Sequence, residues 1–475
     1  MGSHSPSASE GSVSDALQRL REGLANTPYE GKVYLVGGYV RDKLLGRPLP
    51  NDVDLVLEGD ALQLAQFLFE RGIAAHPPVA YPRFGTAMVH IGATLVELVT
   101  ARAESYHDAS RKPQQVRPAT LYADALRRDF TVNTLLENLH TGEILDPLGV
   151  GRSDLQAKVL RTPRAPRETF YEDPLRMLRA VRFAVQLGFT IDPAAYQAIL
   201  EQAERLAIVS IERVQVEFTR LMDSPQAAAG LQMLLETRLL HQFGQPLLPM
   251  VGCTQNEYHL YDVWGHSLKT VEYVNPEGLE LPAWELRLAA LLHDVGKPAT
   301  RTVDADGSVH FYEHDRVGAQ IAAEWLRTMR YPNATIERIT TLVRLHMRPG
   351  FYTPEWSDSA VRRLVRDAGT LLEPLLRLVE ADIKAQRHDV VHADIAALRQ
   401  RIAEVQSTQP HTRWQSPLTG TQIMERFGLP PSPLVGRIKR YLEEQVIEGN
   451  LAPDDTETAW KLAEAFLREK TADRT

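Results

Sequence analysis

Two aspartates separated by one residue, Asp52 and Asp54, stand in the run DVDLVLEG. On a strand, residues i and i+2 point to the same face, so both carboxylates converge. Side by side they repel unless a cation lies between them, and their oxygens suit Mg²⁺. Two such ions would clamp the attacking and leaving oxygens of a phosphoryl transfer. The competing reading of an isolated pair is a solvated strand edge. Upstream, Gly37 and Gly38 close the apolar segment KVYLVGG, and YVRD, with Arg41, opens the next. Glycines between a strand and a helix let backbone approach phosphate oxygens, and a helix N-terminus favours anions.

Further along, RRDFTVN offers Arg127, Arg128, Asp129 and Asn133. An arginine pair can hold triphosphate oxygens bidentately, and Asn133 can donate to sugar or phosphate. A surface ion-pair cluster is the alternative. Asp146 to Leu155 is a glycine-containing hinge between two acids, Asp146 and Asp154. In EDPLR, Asp173 before Pro174 reads as a helix N-cap followed by the first helical position. Arg176 lies over the same face, and Arg179 and Arg182 continue the row. An aspartate that accepts and an arginine that donates, at fixed spacing, could read a base edge. In the second half, His266, the adjacent pair His293-Asp294, His314, His346 and Asp382 recur at the ends of apolar helical runs. A lone histidine there is usually a core residue, but an adjacent His-Asp after LAALL and before Gly-Lys points to chemistry. His310 and His388 read as bystanders.

The elements that must position these groups follow from periodicity. Residues 16–30 suggest a short helix, 32–38 a buried strand, 52–59 an alternating strand and 61–72 an amphipathic helix that Gly72 caps. Strands are expected around 86–90 and 95–100. After about Arg161 strand signals nearly vanish, except for a hairpin-like stretch around 300–311. The fold class is therefore α+β: a small mixed head followed by roughly 300 residues of helix. The expected divisions are a polar, disordered leader at 1–15, a head at 16–160, a helical neck at 161–225, a helical body at 226–400 and a helical tail at 401–475.

With 475 residues, 44% hydrophobic and 24% charged, the chain has globular composition. No apolar run is long enough to span a bilayer. The single cysteine, Cys253, cannot form an internal disulfide, which fits a reducing cytosol and a cytoplasmic protein. The net charge of −8 opposes polyanion binding overall. Locally, 152–182 holds 8 basic against 4 acidic residues, whereas 441–475 holds 4 against 9. A polyanion would bind toward the middle of the first half.

GGYVRD, DVD, RRDFTVN, the Asp146–Leu155 hinge and EDPLR occur in the order seen in class II tRNA nucleotidyltransferases, the CCA-adding enzymes and their bacterial poly(A) polymerase relatives. SIERVQVEF, with Glu212, Arg213 and Glu217, resembles that family's neck. The resemblance implies that Asp52 and Asp54 are catalytic and hold Mg²⁺. It implies a nucleotide site of Gly37, Gly38, Arg41, Arg128, Asp129, Asn133, Asp173, Arg176 and Arg179, with Asp173 and Arg176 as an amino-acid template for CTP and ATP. The partner implied is tRNA, with no protein partner. The spacing from acid to acid in the hinge is eight here where seven is usual, which bears on a switch from CTP to ATP. The stretch between Thr100 and Ala125 corresponds to the family's flexible loop and carries Arg102, Glu104 and Lys112.

The ordered set His266, His293, Asp294, His314, His346 and Asp382 resembles the HD phosphohydrolases, over about 261–385. Its donors suit a transition metal, Ni²⁺, Mn²⁺ or Zn²⁺, more than Mg²⁺. The implied second activity is hydrolysis of phosphomonoesters or of 2′,3′-cyclic phosphates at damaged RNA ends. Residues 417–451 resemble tail helices that touch the tRNA elbow. A poly(A) polymerase is disfavoured by the acidic tail. A hydrolase whose head only binds RNA is disfavoured by the intact carboxylate and arginine pairs.

Overall fold

The alternating runs form the centre of the head. The computed structural model describes residues 8–107, 110–255, 260–387, 391–408 and 414–472, and these divide into two compact units, Met1–Gln245 and Pro246–Thr475. In the first unit α1 (Ala8–Leu24) precedes β1 (Val33–Val36), α2 (Gly38–Leu44), β2 (Val53–Leu57) and α3 (Ala61–Glu70). Then come β3 (Val79–Tyr81), β4 (Thr86–Ile91), β5 (Thr94–Thr100), β6 (Arg102–His107), β7 (Ser110–Pro118), α4 (Leu121–Leu126), β8 (Leu136–Asn138) and β9 (Ile144–Leu145). Seven of these strands make one sheet in the order β3-β4-β5-β2-β1-β8-β9. The β2–β5 pairing is parallel and sets Asp54 opposite Glu97. Strand β5 alternates buried and half-buried residues, as a sheet with one covered face requires.

Two expectations change here. Helix α1 takes in residues 8–15, which composition assigned to a disordered leader. Its apolar stripe, Val13, Ala16, Leu17, Leu20 and Leu24, is buried, and it packs beside β4 and β5. Ser and Gly between those positions hide the helical period. The presumed flexible loop after Thr100 is the hairpin β6–β7, followed by α4 with Thr120 as its N-cap. Polar strands without an apolar face carry no alternation to read. The side chains of Glu104 and Lys112 lie outside the described residues.

A glycine turn leads into α5 (Gly151–Ala157); β10 (Val159–Leu160) and β11 (Thr190–Ile191) pair in parallel around α6 (Pro166–Glu172) and α7 (Leu175–Leu187). Helices α8 (Pro193–Gln202), α9 (Ile211–Met222) and α10 (Ala227–Glu236) complete the unit. Helix α7 packs on both α9 and α10.

Among the described residues the second unit is helical apart from one hairpin. Helices α11 (Val263–Tyr273), α12 (Ala283–Leu292) and α13 (Lys297–Thr300) lead into β12 (Arg301–Val303) and β13 (Val309–Phe311). Then follow α14 (His314–Thr328), α15 (Asn333–Leu345), α16 (Met347–Gly350), α17 (Asp358–Ala368), α18 (Leu372–Ala385) and α19 (Ile395–Thr408). Helix α11 packs on α18, and α15 packs on both α12 and α14. Helices α20 (Gly420–Phe427), α21 (Pro433–Glu448) and α22 (Thr456–Ala472) close around their own core of Leu418, Ile423, Ile438, Leu442, Val446 and Ala459. No described helix is long and apolar enough to cross a membrane.

Candidate functional sites

In the head, Gly37 ends β1 with φ +75°, a left-handed conformation that glycine adopts at little cost. A methyl group placed on it would lie 3.7 Å from Asp54 Oδ2 and 3.9 Å from Arg128 Nη1. The glycine turn, the second carboxylate and Arg128 are thus neighbours. Asp52 is exposed just before β2, and Asp54 is half-buried on it. Burial raises the Asp54 carboxyl above its ordinary range; Arg128 opposes the rise and Asp52 adds to it. The Glu97 carboxyl is also raised, by burial and then by Asp54, against Arg102 and Arg128. Crowded carboxylates that resist ionising together are what a divalent cation relieves. Sequence reasoning missed Glu97. It lies 43 positions from Asp54, and only the strand register brings the two together.

Asp124 is a second missed residue. It is buried on α4 and accepts Arg127 Nε at 2.9 Å through one oxygen and Arg128 at 3.0–3.1 Å through the other. Burial alone would raise its carboxyl, but the two guanidinium groups outweigh that and lower it. The i, i+3, i+4 spacing of Asp124, Arg127 and Arg128 was the available signal.

The remaining expected nucleotide residues form a buried ionic chain. Arg41 donates to both oxygens of Asp42 at 2.9 Å and to Asn133 Oδ1 at 2.8 Å. Asn133 Nδ2 donates to Asp129 Oδ1 at 3.0 Å. Arg179 grips Asp129 Oδ2 through Nε (2.9 Å) and Nη2 (2.6 Å), and its Nη1 reaches Glu217 at 3.4 Å. Glu217 in turn holds Arg182 at 2.5 Å. Burial opposes ionisation of Asp129, yet Arg179 and Asn133 hold its carboxyl well below the usual range. The Asn133 amide is therefore used within the protein on both sides.

Asp173 and Arg176 are both engaged within the protein. Pro174, not Asp173, is the N-cap of α7, and Asp173 closes α6. Asp173 Oδ1 accepts from Leu175 N at 3.2 Å, and its Oδ2 lies 3.6 Å from Arg213. Arg176 is buried and donates to the carbonyls of Arg127 and Thr169. The hinge acids are likewise engaged. Asp146 Oδ2 accepts Arg152 N at 3.0 Å, and Asp154 accepts Thr131 Oγ1 at 2.7 Å and Arg161 Nε at 3.2 Å.

In the second unit the six expected residues converge. His266 comes from α11, His293 and Asp294 follow α12, His314 opens α14, His346 follows α15, and Asp382 lies on α18. The close approach depends on Gly296, where an added methyl group would strike His314 O at 2.1 Å. Asp294 Oδ2 lies 3.2 Å from His293 Nε2 and 3.6 Å from His266 Nε2. Its Oδ1 lies 3.4 Å from His314 Nε2 and 3.8 Å from His346 Nε2. Asp382 Oδ1 is 2.9 Å from His266 Nε2. Two ligand sets, His266/His293/Asp294 and Asp294/His314/His346, each have their atoms within 4.8 Å and share Asp294.

Three of the rings are fixed alike. Nδ1 of His293, His314 and His346 contacts the carbonyl three residues earlier, at 2.7, 2.8 and 2.6 Å. A proton on Nδ1 donated to that carbonyl leaves the Nε2 lone pair facing the centre. Burial, with the neighbouring His293 and His314, pulls the His346 imidazole down to about 4, so it is neutral at pH 7. The buried Nε2 atoms of His314 and His346 have no hydrogen-bond partner. Unpartnered ring nitrogens converging on a shared carboxylate fit a cation. Lys297, buried with Nζ 2.7 Å from Asp294 Oδ2, joins this centre and was passed over in the sequence. His310 stands apart from the cluster, paired with Asp304, and His388 lies outside the described residues.

Comparison with known proteins agrees with this division. The poly A polymerase head domain family matches residues 33–161. A probable RNA and SrmB-binding site of polymerase A matches 188–249, and the HD domain family matches 259–395. An A-adding tRNA nucleotidyltransferase of Deinococcus radiodurans is 35% identical over 341 residues, 69% of this chain and 75% of that protein. A CC-adding tRNA nucleotidyltransferase of Thermus thermophilus is 34% identical over 435 residues, covering 90% and 92%. A CCA-adding enzyme of Geobacillus is 29% identical over 427 residues, covering 88% and 90%. Among solved structures, the CCA-adding enzyme of Bacillus stearothermophilus in complex with CTP shares the fold. Its TM-score is 0.66 at 24% identity, over 99% of this chain and 100% of that one.

Proposed function

The chain belongs to the tRNA nucleotidyltransferase family, and from that premise we propose that it builds or repairs the tRNA 3′ end by adding C, A or both from CTP and ATP. In such a transfer the tRNA 3′-hydroxyl attacks the nucleotide's α-phosphorus and pyrophosphate leaves. Asp52 and Asp54, with Glu97 beside them, would hold Mg²⁺, which supplies charge stabilisation for the attacking and leaving oxygens. Arg128, fixed by Asp124, lies near the Gly37 turn and would bind triphosphate oxygens. Arg41, Asp129, Asn133, Arg179 and Glu217 act as the frame that fixes the nucleotide pocket, and Asp173 and Arg176 set its base-selective wall. The observation that carries this reading is the meeting of Gly37, Asp54 and Arg128. Incorporation of radiolabelled CTP and ATP into tRNA lacking its 3′ end tests it and reads out which bases are added. Absence of incorporation by the wild-type chain, with Mg²⁺ present, would overturn it.

The histidine–aspartate cluster supports a second activity, metal-dependent phosphohydrolysis. The four histidines and two aspartates would hold Ni²⁺, Mn²⁺ or Zn²⁺, which activates water near neutral pH. Lys297 brings a positive charge beside Asp294 and would meet a phosphate oxygen. Metal analysis of purified protein, with phosphomonoesterase and cyclic phosphodiesterase assays, tests this independently of the head.

A further inference from the structure

Beside the second cluster opens a cavity of about 420 Å³, a volume within the range of small-molecule sites. Asp294, Lys297, His314, His346 and Asp382 line part of it, and Tyr312 and Phe351 line another part. These two residues are 68% and 65% exposed. A small phosphoester has no use for bare aromatic surface, whereas a nucleobase does.

Tyr312 is also held in place. It follows β13 and stacks on His310 with ring centroids 5.3 Å apart and planes 12° from parallel. His310 lies opposite Thr302 in the β12–β13 hairpin, and its Nε2 is 3.0 Å from Asp304 Oδ2. One face of the tyrosine is thus backed by a ring that is itself anchored. Lys297 Nζ, beside Asp294, also lies 5.4 Å from the ring of Phe311, the residue before Tyr312. Phosphate-binding charge and aromatic surface come from adjoining residues of one cavity.

We propose that Tyr312, braced by His310, together with Phe351, forms a nucleobase platform beside the metal-ligand cluster. The ester cleaved there is then a nucleotide's phosphoester, free or at an RNA end. This rests on the phosphohydrolase reading given above. The histidine that sequence reasoning set aside becomes a positioning residue.

The test uses the full-length protein and three probes with Mn²⁺ or Ni²⁺: adenosine 2′-monophosphate, a short RNA bearing a terminal 3′-phosphate, and glycerol 2-phosphate, which has no base. Tyr312→Ala should lower kcat/KM for the nucleotide relative to glycerol 2-phosphate by roughly tenfold, through KM. Tyr312→Phe should keep the wild-type ratio, and His310→Ala should fall between. A larger effect on the RNA than on the free nucleotide assigns the platform to RNA ends, and the reverse assigns it to free nucleotides. An unchanged ratio in Tyr312→Ala overturns the proposal. A second readout does not need turnover. In Tyr312→Trp, adenosine 2′-monophosphate should quench the added tryptophan emission beyond any change in the wild type, and glycerol 2-phosphate should not. If the wild type hydrolyses no probe, the phosphohydrolase reading falls, and this quenching still decides the platform: its absence sinks it.

Discussion

Glu217 is the joint of the ionic chain that ties α7 to α9, and Glu217→Gln isolates its charge. The side chains of Glu217 and Arg182 are 4% and 6% exposed, and they meet at 2.5 Å. Burial pulls the Arg182 guanidinium down to about 10 even with Glu217 raising it. Arg179 and Arg220 add contacts of 3.4 and 3.7 Å to the same carboxylate. The amide keeps the shape and one acceptor but leaves a buried cation without its counter-charge. Breaking a buried pair in this way costs about 3–5 kcal/mol, and the retained hydrogen bond places the expectation near 3. For a unit of this size 1 kcal/mol moves the midpoint by about 2–4 °C, so Tm should fall by roughly 6–12 °C. Thermal and urea unfolding followed by circular dichroism measure it. Arg182→Met alone should also destabilise, and the double variant should lose less than the sum by at least about 1 kcal/mol, because no unpaired charge remains. A Glu217→Gln loss below about 1 kcal/mol, or strict additivity in the double variant, would refute the reasoning.

Asp54→Asn or Asp52→Asn should cut nucleotide incorporation by roughly 10³-fold or more while leaving unfolding midpoints near wild type, and near-normal incorporation would sink the metal assignment. Arg176→Ala should weaken selection of CTP and ATP over UTP and GTP and also destabilise the protein by about 1–3 kcal/mol, since the carbonyls of Arg127 and Thr169 each lose a donor; Asp173→Ala should chiefly affect selection. Unaltered selectivity in both variants would leave these residues with a helix-positioning role only. Asp294→Ala should remove bound transition metal, measured by mass spectrometry, and abolish phosphohydrolysis while incorporation persists. Because the folded Asp129 carboxyl is depressed, its stabilising contribution is complete above the ordinary aspartate range and drains away as pH falls through and below it. Asp129→Asn should therefore be much less stable than wild type at pH 7, with a gap that begins to narrow toward pH 3; a constant gap across that range would count against the depressed carboxyl.

Spacing along the chain determined whatever a single element can express. Alternation marked β2, β4 and β5, the apolar run LAALL marked the helix ahead of His293 and Asp294, and ordered motifs identified the family. The sequence could not reveal the first turns of α1, residues 8–15, where Ser and Gly dilute the apolar stripe, or the β6–β7 hairpin, whose strands are mostly polar. Tertiary structure alone decided contacts between elements. Glu97 stands beside Asp54 because β2 and β5 pair in parallel in one register. Asp382 reaches His266 across 116 residues because α18 packs on α11. It also turned Asn133 and Arg176 inward, where buried carboxylates and carbonyls claim their polar atoms. Local periodicity fixes which residues share a face, but which face it meets is set by burial of apolar surface over the whole chain, and charged groups then pair with what that packing brings near.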